Sequence, residues 1–594
     1  MIHTRLQAHL QQAVAALLPD ADIATVLVRP CPDPKFGDYQ SNALISLAKQ
    51  RRMNPRQLAT DVVGRMTLDA SCESVDIAGP GFLNFRIKPS AFAEVIAGAV
   101  RREHLFFARS ARPRTFVVDF SSPNVAKPMH VGHIRSTGIG DSIQRVLRLL
   151  GHRVITDNHI GDWGTQFGML LVGWKEMLDR QALERDPLAE MDRLYKLVGA
   201  QCKENPARLE QVRQELVRLQ AGDEENLAIW REMIRLSQAQ FDSIYGRLGV
   251  KFDHSLGESF YDPWLGGVVG TLMERGLARQ SEGAIAVFSN GDLPPAEDPF
   301  LVNRDGEWVA EPALIRKSDG AFNYMTTDLA TIDYRCKTWS PDEIVYVVDD
   351  RQAPHFRKLF LTFARWQPEV AGKVTLRHVG FGKILGEDGK PFKTRSGDTV
   401  GLSSLLDEAQ QRAFELVKSK QLERAEGERA PENLWPEIAR VVGIGAVKYA
   451  DLLPNRQSDY VFNWEKMLSW NGNAAPYLQY AYTRTRSILR KAVAEGLSPA
   501  PENIEFSAPE ELNLARHLVN FGLVLEAMAD DYRPNFLCNY LFELAGRTSK
   551  FYEACPVLKS TGAARSSRLA LCDVTGRVLR QGLELLGIET VEQM

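Results

Sequence analysis

The chain has 594 residues, 44% of them hydrophobic and 25% charged, and its 72 basic and 75 acidic side chains leave a formal net charge of −3. These values are typical of a globular protein and exclude a collagen-like chain, a coiled-coil rod and a mainly disordered chain. No apolar run approaches the roughly 18 residues of a membrane helix, and the N-terminus does not resemble a signal peptide. The seven cysteines include no CxxC pair. We therefore expect a cytoplasmic protein without a membrane segment or a disulfide framework.

The N-terminal part alternates helical and strand patterns. Apolar residues recur at helical spacing from Ile2 to Leu17, and strand-forming residues end the pattern at 77–87. The arginine-rich segment 101–114 is expected to be a linker. The pattern predicts a small α+β domain over residues 1–112.

A strand–loop–helix–strand pattern follows. Residues 115–120 have the composition of a buried strand, residues 121–129 that of a loop, and a predicted helix runs from there to Leu150. The next strand is predicted at 152–156. Such a unit implies a parallel sheet with ligands bound at the carboxyl ends of its strands.

The rest of the chain divides into a helical insertion, a resumed α/β pattern and a helical C-terminus. Residues 170–248 have helical periodicity throughout. The resumed pattern predicts strands at 284–288, 313–316, 344–348 and 374–377. We therefore predict a doubly wound α/β domain over residues 113–401, with an insertion at about 170–300, and a helical bundle over 402–594, helical to the chain end.

The loop between the first strand and its helix carries the clearest chemical pattern. It reads SSPNVAKPMHVGH, residues 121–133. The N-terminus of a helix favours an anion there, and His130 and His133 are three residues apart, so that their rings share one face. Gly132 between them lets a flat ligand such as a purine approach the backbone. Imidazoles that donate to phosphate oxygens would stabilise charge during nucleotidyl transfer.

Two other interpretations of this histidine pair stay open on geometry alone. The rings could cap the helix, or they could bind zinc with a third ligand of suitable spacing. The zinc interpretation would make the protein a metal-dependent hydrolase that uses His130 and His133.

The longer context of this loop resembles a known family. HVGH looks like the HIGH signature of class I aminoacyl-tRNA synthetases, and SSPNVAKPMHVGHIRSTGIGD, with NHIGDWGTQFG downstream, resembles the arginyl-tRNA synthetase family. The resemblance extends from FGDYQSN to LLGIETVEQM. It implies a Rossmann-type catalytic domain and ATP-dependent ligation of L-arginine to tRNA(Arg) through arginyl-adenylate, with release of AMP and pyrophosphate. A monomer is expected, and a non-catalytic tRNA-binding paralogue is the alternative.

The second class I signature, KMSKS, is altered in this chain. FKTRS, within residues 386–397, stands in its place, where Lys393 and Arg395 supply positive charge without the usual second lysine. Members of the family with this deviation are thought to compensate with a lysine just upstream of HIGH, and Lys127 fits. The resemblance thus implies that ATP enters as its Mg²⁺ complex and that the protein has no tightly bound metal or organic cofactor. The residues that would hold ATP are Lys127, His130, Gly132, His133 and Lys393. Arg395 would add positive charge for catalysis.

The amino-acid pocket needs carboxylates and a flat partner, because a guanidinium offers five N–H donors in a planar fork. Tyr324 and Asp328 are four residues apart at the start of a predicted helix, with Thr326 or Thr327 as the N-cap. The resemblance places both, together with Glu258, on the arginine side chain. Without it, Asp328 would be a charge at a helix N-terminus and Tyr324 a core ring.

The same family pattern assigns the other end of the substrate. By matching residues, Ser122, Asn124 and Gln352 would hold the α-amino and carboxylate groups of arginine. Ser122 and Asn124 belong to the loop that leads into HVGH.

Near the N-terminus, the sequence GFLNF resembles the family's extra domain, which touches the tRNA elbow. Asn84, flanked by Phe82 and Phe85, could read a splayed base by hydrogen bonding and stacking. The alternative is that both phenylalanines are core residues and Asn84 is a turn residue.

A basic run near residue 480 follows a run of tyrosines. Aromatic rings stack on bases while cations meet phosphates, although a helix with inward tyrosines and solvated arginines would look the same. The segment matches the family's anticodon-binding helices, which favours tRNA binding, by Tyr477 and Arg484 in particular. Its residues are Tyr477, Tyr480, Tyr482, Arg484, Arg486, Arg490 and Lys491.

Overall fold

The computed structural model describes residues 1–68, 70–392, 400–499 and 504–594, which form three successive parts. The first is a four-stranded antiparallel sheet, ordered β1-β2-β4-β3, with helices packed on it. Its elements are α1 Ile2–Leu17, β1 Arg29–Pro30, β2 Tyr39–Ser41, α2 Ala43–Arg51, α3 Pro55–Arg65, β3 Cys72–Ala78, β4 Phe82–Ile87 and α4 Pro89–Val100. None of the helices in the described ranges is both long and apolar enough to cross a membrane.

The second part is the α/β unit with its insertion. Its helices are α5 Gly132–Leu149, α6 Gln166–Met177, α7 Arg180–Arg185, α8 Pro187–Glu204, α9 Pro206–Gln220, α10 Glu224–Leu248, α11 Glu258–Glu274, α12 Tyr324–Trp339, α13 Ala353–Trp366 and α14 Pro368–Ala371. Its strands are β5 Thr115–Asp119, β6 Arg153–Asp157, β7 Ala278–Ser281, β8 Ala284–Val287, β9 Leu301–Arg304, β10 Glu307–Ala310, β11 Ala313–Arg316, β12 Glu343–Tyr346, β13 Thr375–His378 and β14 Ile384–Leu385. The helical prediction for 170–248 is confirmed by α6 to α10.

The central sheet is parallel and covered on both faces. Its order is β13-β12-β5-β6, so the chain leaves β5 toward β6 on one side and later returns to β12 on the other. Val117 and Val118 point to opposite faces, the first into a core shared with α11 to α13 and the second into a core shared with α5. A crevice therefore opens between the loops that follow β5 and β12, where ligands of such sheets bind.

Two strands that were predicted to continue the α/β pattern are not part of the central parallel sheet. Residues 284–288 and 313–316 correspond to β8 and β11, which form a separate antiparallel sheet in the order β11-β8-β7. The turn between β7 and β8 has positive φ at Glu282 and Gly283, the geometry of a tight hairpin. A buried apolar run fits a parallel or an antiparallel sheet equally well, so composition alone could not separate them.

The third part is helical and packs against the other two. Its elements are α15 Leu402–Leu422, α16 Trp435–Leu452, β15 Tyr460–Val461, α17 Trp464–Met467, α18 Ala475–Ala494, α19 Pro509–Leu518, α20 Phe521–Asp531, α21 Asn535–Ala554 and α22 Gly562–Leu585. The N-terminal sheet reaches this part through Tyr39, whose hydroxyl donates to Asn520 Oδ1 at 3.0 Å, and through the 2.7 Å ion pair of Asp38 with Arg516.

The last helix is shorter than predicted, because it ends at Leu585 and not near Met594. Gly587 follows with a φ of +69°, which terminates the helix in the left-handed region. The remaining residues lie along α18, where the Gln479 amide donates to the carbonyl of Glu589 at 2.9 Å.

Cationic side chains of α16 and α5 bind the ends of two other helices. The Lys448 ammonium donates to the carbonyls of Leu248 at 2.7 Å and Gly587 at 2.6 Å. Arg145, on α5, donates to the carbonyl of Gly249 at 2.6 Å. These donors satisfy carbonyls that the C-termini of α10 and α22 leave unpaired. The insertion, the C-terminal helices and α5, which begins within HVGH, therefore form one packed unit.

Candidate active site

The loop after β5 starts with two residues in the left-handed region. Ser121 has a φ of 76° and Ser122 a φ of 49°. The backbone N–H of Ser122 donates to Asn158 Oδ1 at 3.0 Å, and its hydroxyl donates to Asp119 Oδ1 at 3.1 Å. Backbone conformations of this kind persist only where the surroundings fix them, and they are common at functional sites.

The loop after β6 joins Asn124 to Glu258. The N–H of Val125, next to Asn124, donates to the carbonyl of Gly161 at 3.0 Å, and the N–H of Glu258 donates to the carbonyl of Ile160 at 3.1 Å. A Cβ atom at Gly161 would collide with the Asn124 side chain. One short loop thus brings residues from two distant segments to the same crevice.

Glu258 and Asp328 place two carboxyl groups at the starts of two packed helices, α11 and α12. Burial raises the pKa of the Glu258 carboxyl, and the carboxylates of Asp162 and Asp328 raise this pKa further, whereas His159 opposes the shift. Two neighbouring carboxyl groups disfavour each other's ionised form, but both can be ionised when a cation lies between them. The site can therefore bind a cationic group.

Tyr324 is the first residue of α12, so that Tyr324 and Asp328 share one helix face, as predicted. The N-cap is Asn323, whose side chain accepts from the N–H of Tyr324, and not Thr326 or Thr327. Both threonines are buried within the first turn, where the Thr326 hydroxyl donates to a backbone carbonyl. The Tyr324 ring is 64% exposed and is not a core ring.

His355, on α13, is a site residue that the sequence did not reveal. Its Nε2 lies 2.6 Å from Oδ2 of Asp328, and its ring meets the Tyr324 ring edge-on at a centroid distance of 5.8 Å. It follows the exposed Gln352 by three residues. The two histidines of HVGH are also three residues apart, and the same spacing from Gln352 is the sequence feature that could have identified His355 as a site residue.

Arg335 is a second residue that the sequence did not reveal. It lies on α12, is fully buried, and donates to Asp119 at 2.7 Å and to Asp157 at 2.8 Å. These aspartates end β5 and β6. Arg335 is seven residues after Asp328, on the same helix face, and it therefore holds α12 against the carboxyl ends of both strands.

The two histidines of HVGH lie side by side, with ring centroids 4.0 Å apart. The N–H of His130 donates to His133 Nδ1 at 3.0 Å, and the N–H of Gly132 donates to His130 Nδ1 at 3.1 Å. In a neutral ring that accepts at Nδ1, the proton is on Nε2. In this tautomer the Nδ1 atoms cap the chain, as one alternative proposed, and each Nε2–H is left as a donor. The Nδ1 of His133 also lies 3.3 Å from the carbonyl of His130, which it would meet as a donor in the other tautomer.

Both rings are neutral near pH 7. Burial lowers the pKa of His133 to about 4, with His130 adding to the shift, and burial also lowers the pKa of His130. A Cβ atom at Gly132 would press against the His130 ring, so the glycine keeps that ring in place. No group of three or more His, Cys, Asp or Glu side chains that could hold a metal ion occurs among the described residues.

The segment after the altered KMSKS sequence is tied directly to HVGH. The N–H of Val131 donates to the carbonyl of Val400 at 2.9 Å, and the N–H of Leu402 donates to the carbonyl of Met129 at 2.9 Å. Lys393 and Arg395 themselves lie outside the described residues.

Lys127 is half-buried beside the helical insertion. Its ammonium lies over the ring of Tyr195, on α8, at 4.9 Å from the ring centroid. The loop that carries HVGH is thereby in contact with the insertion.

Near the N-terminus, the structure differs from both interpretations of the GFLNF segment. Asn84 is in the middle of β4, paired with Gln40 and Asp76, and only 5% exposed, so it is neither a turn residue nor a freely accessible base reader. Phe85 is in the core, whereas Phe82 is half-buried at the strand start. A role of Asn84 in base recognition requires a change in its surroundings.

A basic cavity of about 560 Å³ lies among the C-terminal helices. The Arg484 guanidinium stacks on Tyr552 at 3.8 Å from the ring centroid. Tyr477 packs instead against Phe542, at 5.7 Å between ring centroids. The cavity wall combines basic side chains with two aromatic rings and includes Arg424, Arg429, Tyr480, Arg484, Arg490, Lys491 and Tyr552.

Three family models match the chain in order. The model described as "Arginyl tRNA synthetase N terminal domain" matches residues 4–87, "tRNA synthetases class I (R), catalytic domain" matches residues 96–464, and "DALR anticodon binding domain" matches residues 478–594. The second alone covers more than half of the chain.

Known proteins match over the full length. Arginine–tRNA ligase of Sodalis glossinidius is 44% identical over 596 residues, covering 100% of both chains. Arginine–tRNA ligase of Azotobacter vinelandii is 45% identical over 597 residues, covering 98% of this chain and 99% of its own. The solved arginyl-tRNA synthetase of Thermus thermophilus superposes with a TM-score of 0.82 at 25% identity, covering 100% of both chains.

Proposed function

The chain belongs to the arginyl-tRNA synthetase family, and from that premise we propose which of its residues carry out each part of the reaction. It is a class I aminoacyl-tRNA synthetase that uses ATP to ligate L-arginine to tRNA(Arg). The metal-dependent hydrolase and the non-catalytic paralogue are not supported. The N-terminal, catalytic and helical C-terminal parts of the fold correspond to the three matched families.

The guanidinium of arginine binds between Glu258 and Asp328. The observation that carries this proposal is the placement of the two carboxyl groups at the starts of the packed helices α11 and α12, where burial raises the pKa of Glu258 and the charge of Asp328 raises it further. A guanidinium neutralises both and offers each of them N–H donors in a planar arrangement. The exposed Tyr324 ring supplies a flat surface for that plane.

The α-amino and carboxylate ends of arginine bind to Ser122, Asn124 and Gln352. These residues lie on the loops after β5 and β12, on the two sides of the switch point of the sheet. The Asp119–Ser122 hydrogen bond fixes the Ser122 hydroxyl, whose lone pairs remain available to an ammonium group.

In the first step, an oxygen of the arginine carboxylate attacks the α-phosphorus of ATP, and the bond to pyrophosphate breaks. The Nε2–H groups of His130 and His133 donate to phosphate oxygens whose charge increases in the transition state. Gly132 leaves room for the adenine beside the helix start. Lys127, Lys393 and Arg395 neutralise the phosphates of ATP, which enters as its magnesium complex, and catalysis is mostly positioning and electrostatics.

In the second step, the terminal ribose of the tRNA attacks the activated carbonyl, and AMP leaves. Class I membership implies the 2′-hydroxyl as the nucleophile. No described side chain is an obvious general base, and we propose that the leaving phosphate accepts the proton.

The remaining parts of the chain bind tRNA. Residues 1–112 contact the elbow, through the half-buried Phe82 at the start of β4, residues 113–401 hold the reacting groups, and residues 402–594 contact the anticodon. Arg484 in the basic cavity supports the last assignment, with Tyr477 on the same helix. We further propose that the enzyme acts as a monomer in the cytoplasm.

The experiment that tests this function is ATP–pyrophosphate exchange, with and without tRNA(Arg), followed by transfer of labelled amino acid to tRNA. We expect arginine alone, among the standard amino acids, to support both reactions. Exchange with a different amino acid, or transfer to a tRNA other than tRNA(Arg), would contradict the proposal.

A further inference from the structure

His355 contacts two residues of the proposed guanidinium site at once. Its Nε2 is 2.6 Å from Asp328 Oδ2, and its ring packs edge-on against Tyr324. The two partners are one helical turn apart on α12, whereas His355 is in the first turn of α13. The contact therefore joins two helices across the opening of the crevice.

The chemistry of a carboxylate explains what this contact does. The terminal torsion of an aspartate is broad, so an unrestrained carboxylate samples many orientations. A bidentate bond to a guanidinium requires the carboxylate plane to match the planar fork of the donor. A donor on Oδ2 of Asp328 fixes that plane and still leaves Oδ1 and a second lone pair on Oδ2 for the guanidinium, because an ionised carboxylate accepts about four hydrogen bonds.

We propose that His355 is a positioning residue for arginine recognition, which holds the Asp328 carboxylate and the Tyr324 ring in the orientation that receives the guanidinium. The inference rests on the proposed arginine pocket, since His355 acts through Asp328. The imidazole Nε2 donates one hydrogen bond to Oδ2 of Asp328 and leaves the other lone pairs of the carboxylate to the substrate. Glu258 then supplies the second charge from α11.

A purely structural role is the competing explanation, in which His355 only packs α13 against α12. The two roles differ in what they change. A packing defect lowers stability and affects all substrates, whereas a misoriented Asp328 weakens arginine binding and leaves ATP binding alone. Residues that act through one another also give non-additive effects when both are changed.

The test uses the full chain and ATP–pyrophosphate exchange, with KM measured for arginine and for ATP. The variants are His355→Ala, Asp328→Ala, the double variant, His355→Gln and His355→Asn. Arg357→Ala is the control, since Arg357 is exposed on the same helix and donates to the carbonyl of Glu297 at 2.8 Å. Melting temperatures report folding.

We expect His355→Ala to raise KM for arginine about 10- to 100-fold, the range for losing a hydrogen bond to a charged group. KM for ATP should stay within about twofold, and Arg357→Ala should match the wild type. The double variant should be no worse than Asp328→Ala. Glutamine, whose amide nitrogen reaches the position of Nε2, should restore most of the affinity, whereas asparagine should not.

The proposal is overturned if His355→Gln binds arginine no better than His355→Asn, or if the effects of His355→Ala and Asp328→Ala multiply. It is also overturned if His355→Ala leaves KM for arginine unchanged while Asp328→Ala raises it. An unchanged KM in Asp328→Ala itself would instead remove the proposed arginine pocket, and the inference with it.

Discussion

At the scale of single residues, the protonation of His133 determines which of its atoms faces the phosphates. Burial lowers the pKa of the ring to about 4, and in the tautomer that accepts at Nδ1 from the N–H of His130, Nε2–H is its one donor at neutral pH. We expect His133→Ala to slow adenylate formation about 100-fold or more, as when an oxyanion donor is lost, with little change in KM for ATP. Single-turnover kinetics would measure this.

The same variant series tests the tautomer. His133→Gln places an amide nitrogen near the position of Nε2 and should recover more of the rate than His133→Asn. A better recovery with asparagine, or a wild-type rate in His133→Ala, would restrict His133 to capping the helix.

Lys127 tests how this chain replaces the missing KMSKS lysine. A charge-assisted contact to phosphate is worth about 1.5–3 kcal/mol, so Lys127→Ala should slow ATP–pyrophosphate exchange about 10- to 150-fold. Tyr195→Leu is the matched control, because it removes the ring under the ammonium and keeps the charge. Equal losses in the two variants would mean that Lys127 only holds the insertion in place.

Residue patterns could predict partners within one helix but not between helices. Tyr324 and Asp328 were paired from their spacing, and the structure puts both on α12. His355 is 27 positions from Asp328 and meets it only through packing of α12 on α13. The contact of Lys127 with Tyr195 could not be predicted for the same reason. Tyr195 belongs to the helical insertion, and the sequence does not show how that insertion packs.

At the scale of elements, α12 depends on one buried ion triad. Arg335→Met would leave Asp119 and Asp157 buried without a cationic partner, and breaking such a group costs about 3–5 kcal/mol. We expect a loss of that size in the free energy of unfolding, measured by denaturant titration. Lys337→Ala, which removes an exposed pair with Asp333 on the same helix, should cost under about 0.5 kcal/mol. Similar losses in both variants would contradict the anchoring role of Arg335.

It was easier to predict whether a segment is a helix or a strand than to predict which strands pair with one another. The helical insertion and the strands near 115, 153, 343 and 375 follow from periodicity and length. β8 and β11 were assigned to the wrong kind of sheet, because the hairpin partner β7 is four residues long and largely polar. The end of α22 was missed, although Gly587 is the residue type that terminates helices.

At the scale of the whole molecule, stability should decrease in mild acid. His517 stacks on Tyr540, and burial lowers its pKa to about 4, as for His133. Unfolding restores a pKa near 6.5, so between about pH 6.5 and 4 the unfolded chain binds protons that the folded chain does not. The free energy of unfolding is then lost as the pH falls through this range.

A non-titrating replacement tests this assignment. His517→Gln should lose less stability than the wild type between about pH 6.5 and 4.5, as measured by urea unfolding at each pH. An identical pH dependence in the variant and the wild type would show that His517 does not contribute.

The strand order of the central sheet and the contacts between distant segments were the hardest features to predict from the sequence. The βαβ pattern implied a parallel sheet, but the order β13-β12-β5-β6 depends on where the chain returns after about 190 residues of insertion and connection. The contact of Tyr39 with Asn520 joins segments 481 positions apart, and no local pattern encodes it.

The most direct test of the central claim compares arginine with citrulline, a neutral isostere of the same length, in ATP–pyrophosphate exchange with tRNA(Arg) present. A pocket built from Glu258 and Asp328 to bind a guanidinium should reject citrulline by about 10,000-fold in kcat/KM, because the ureido oxygen of citrulline replaces an N–H donor group opposite the carboxylates and the positive charge is lost. Glu258→Gln should reduce the ratio of kcat/KM for arginine to kcat/KM for citrulline, because the variant binds arginine more weakly. Citrulline activation within about tenfold of arginine would contradict a carboxylate pocket at this site.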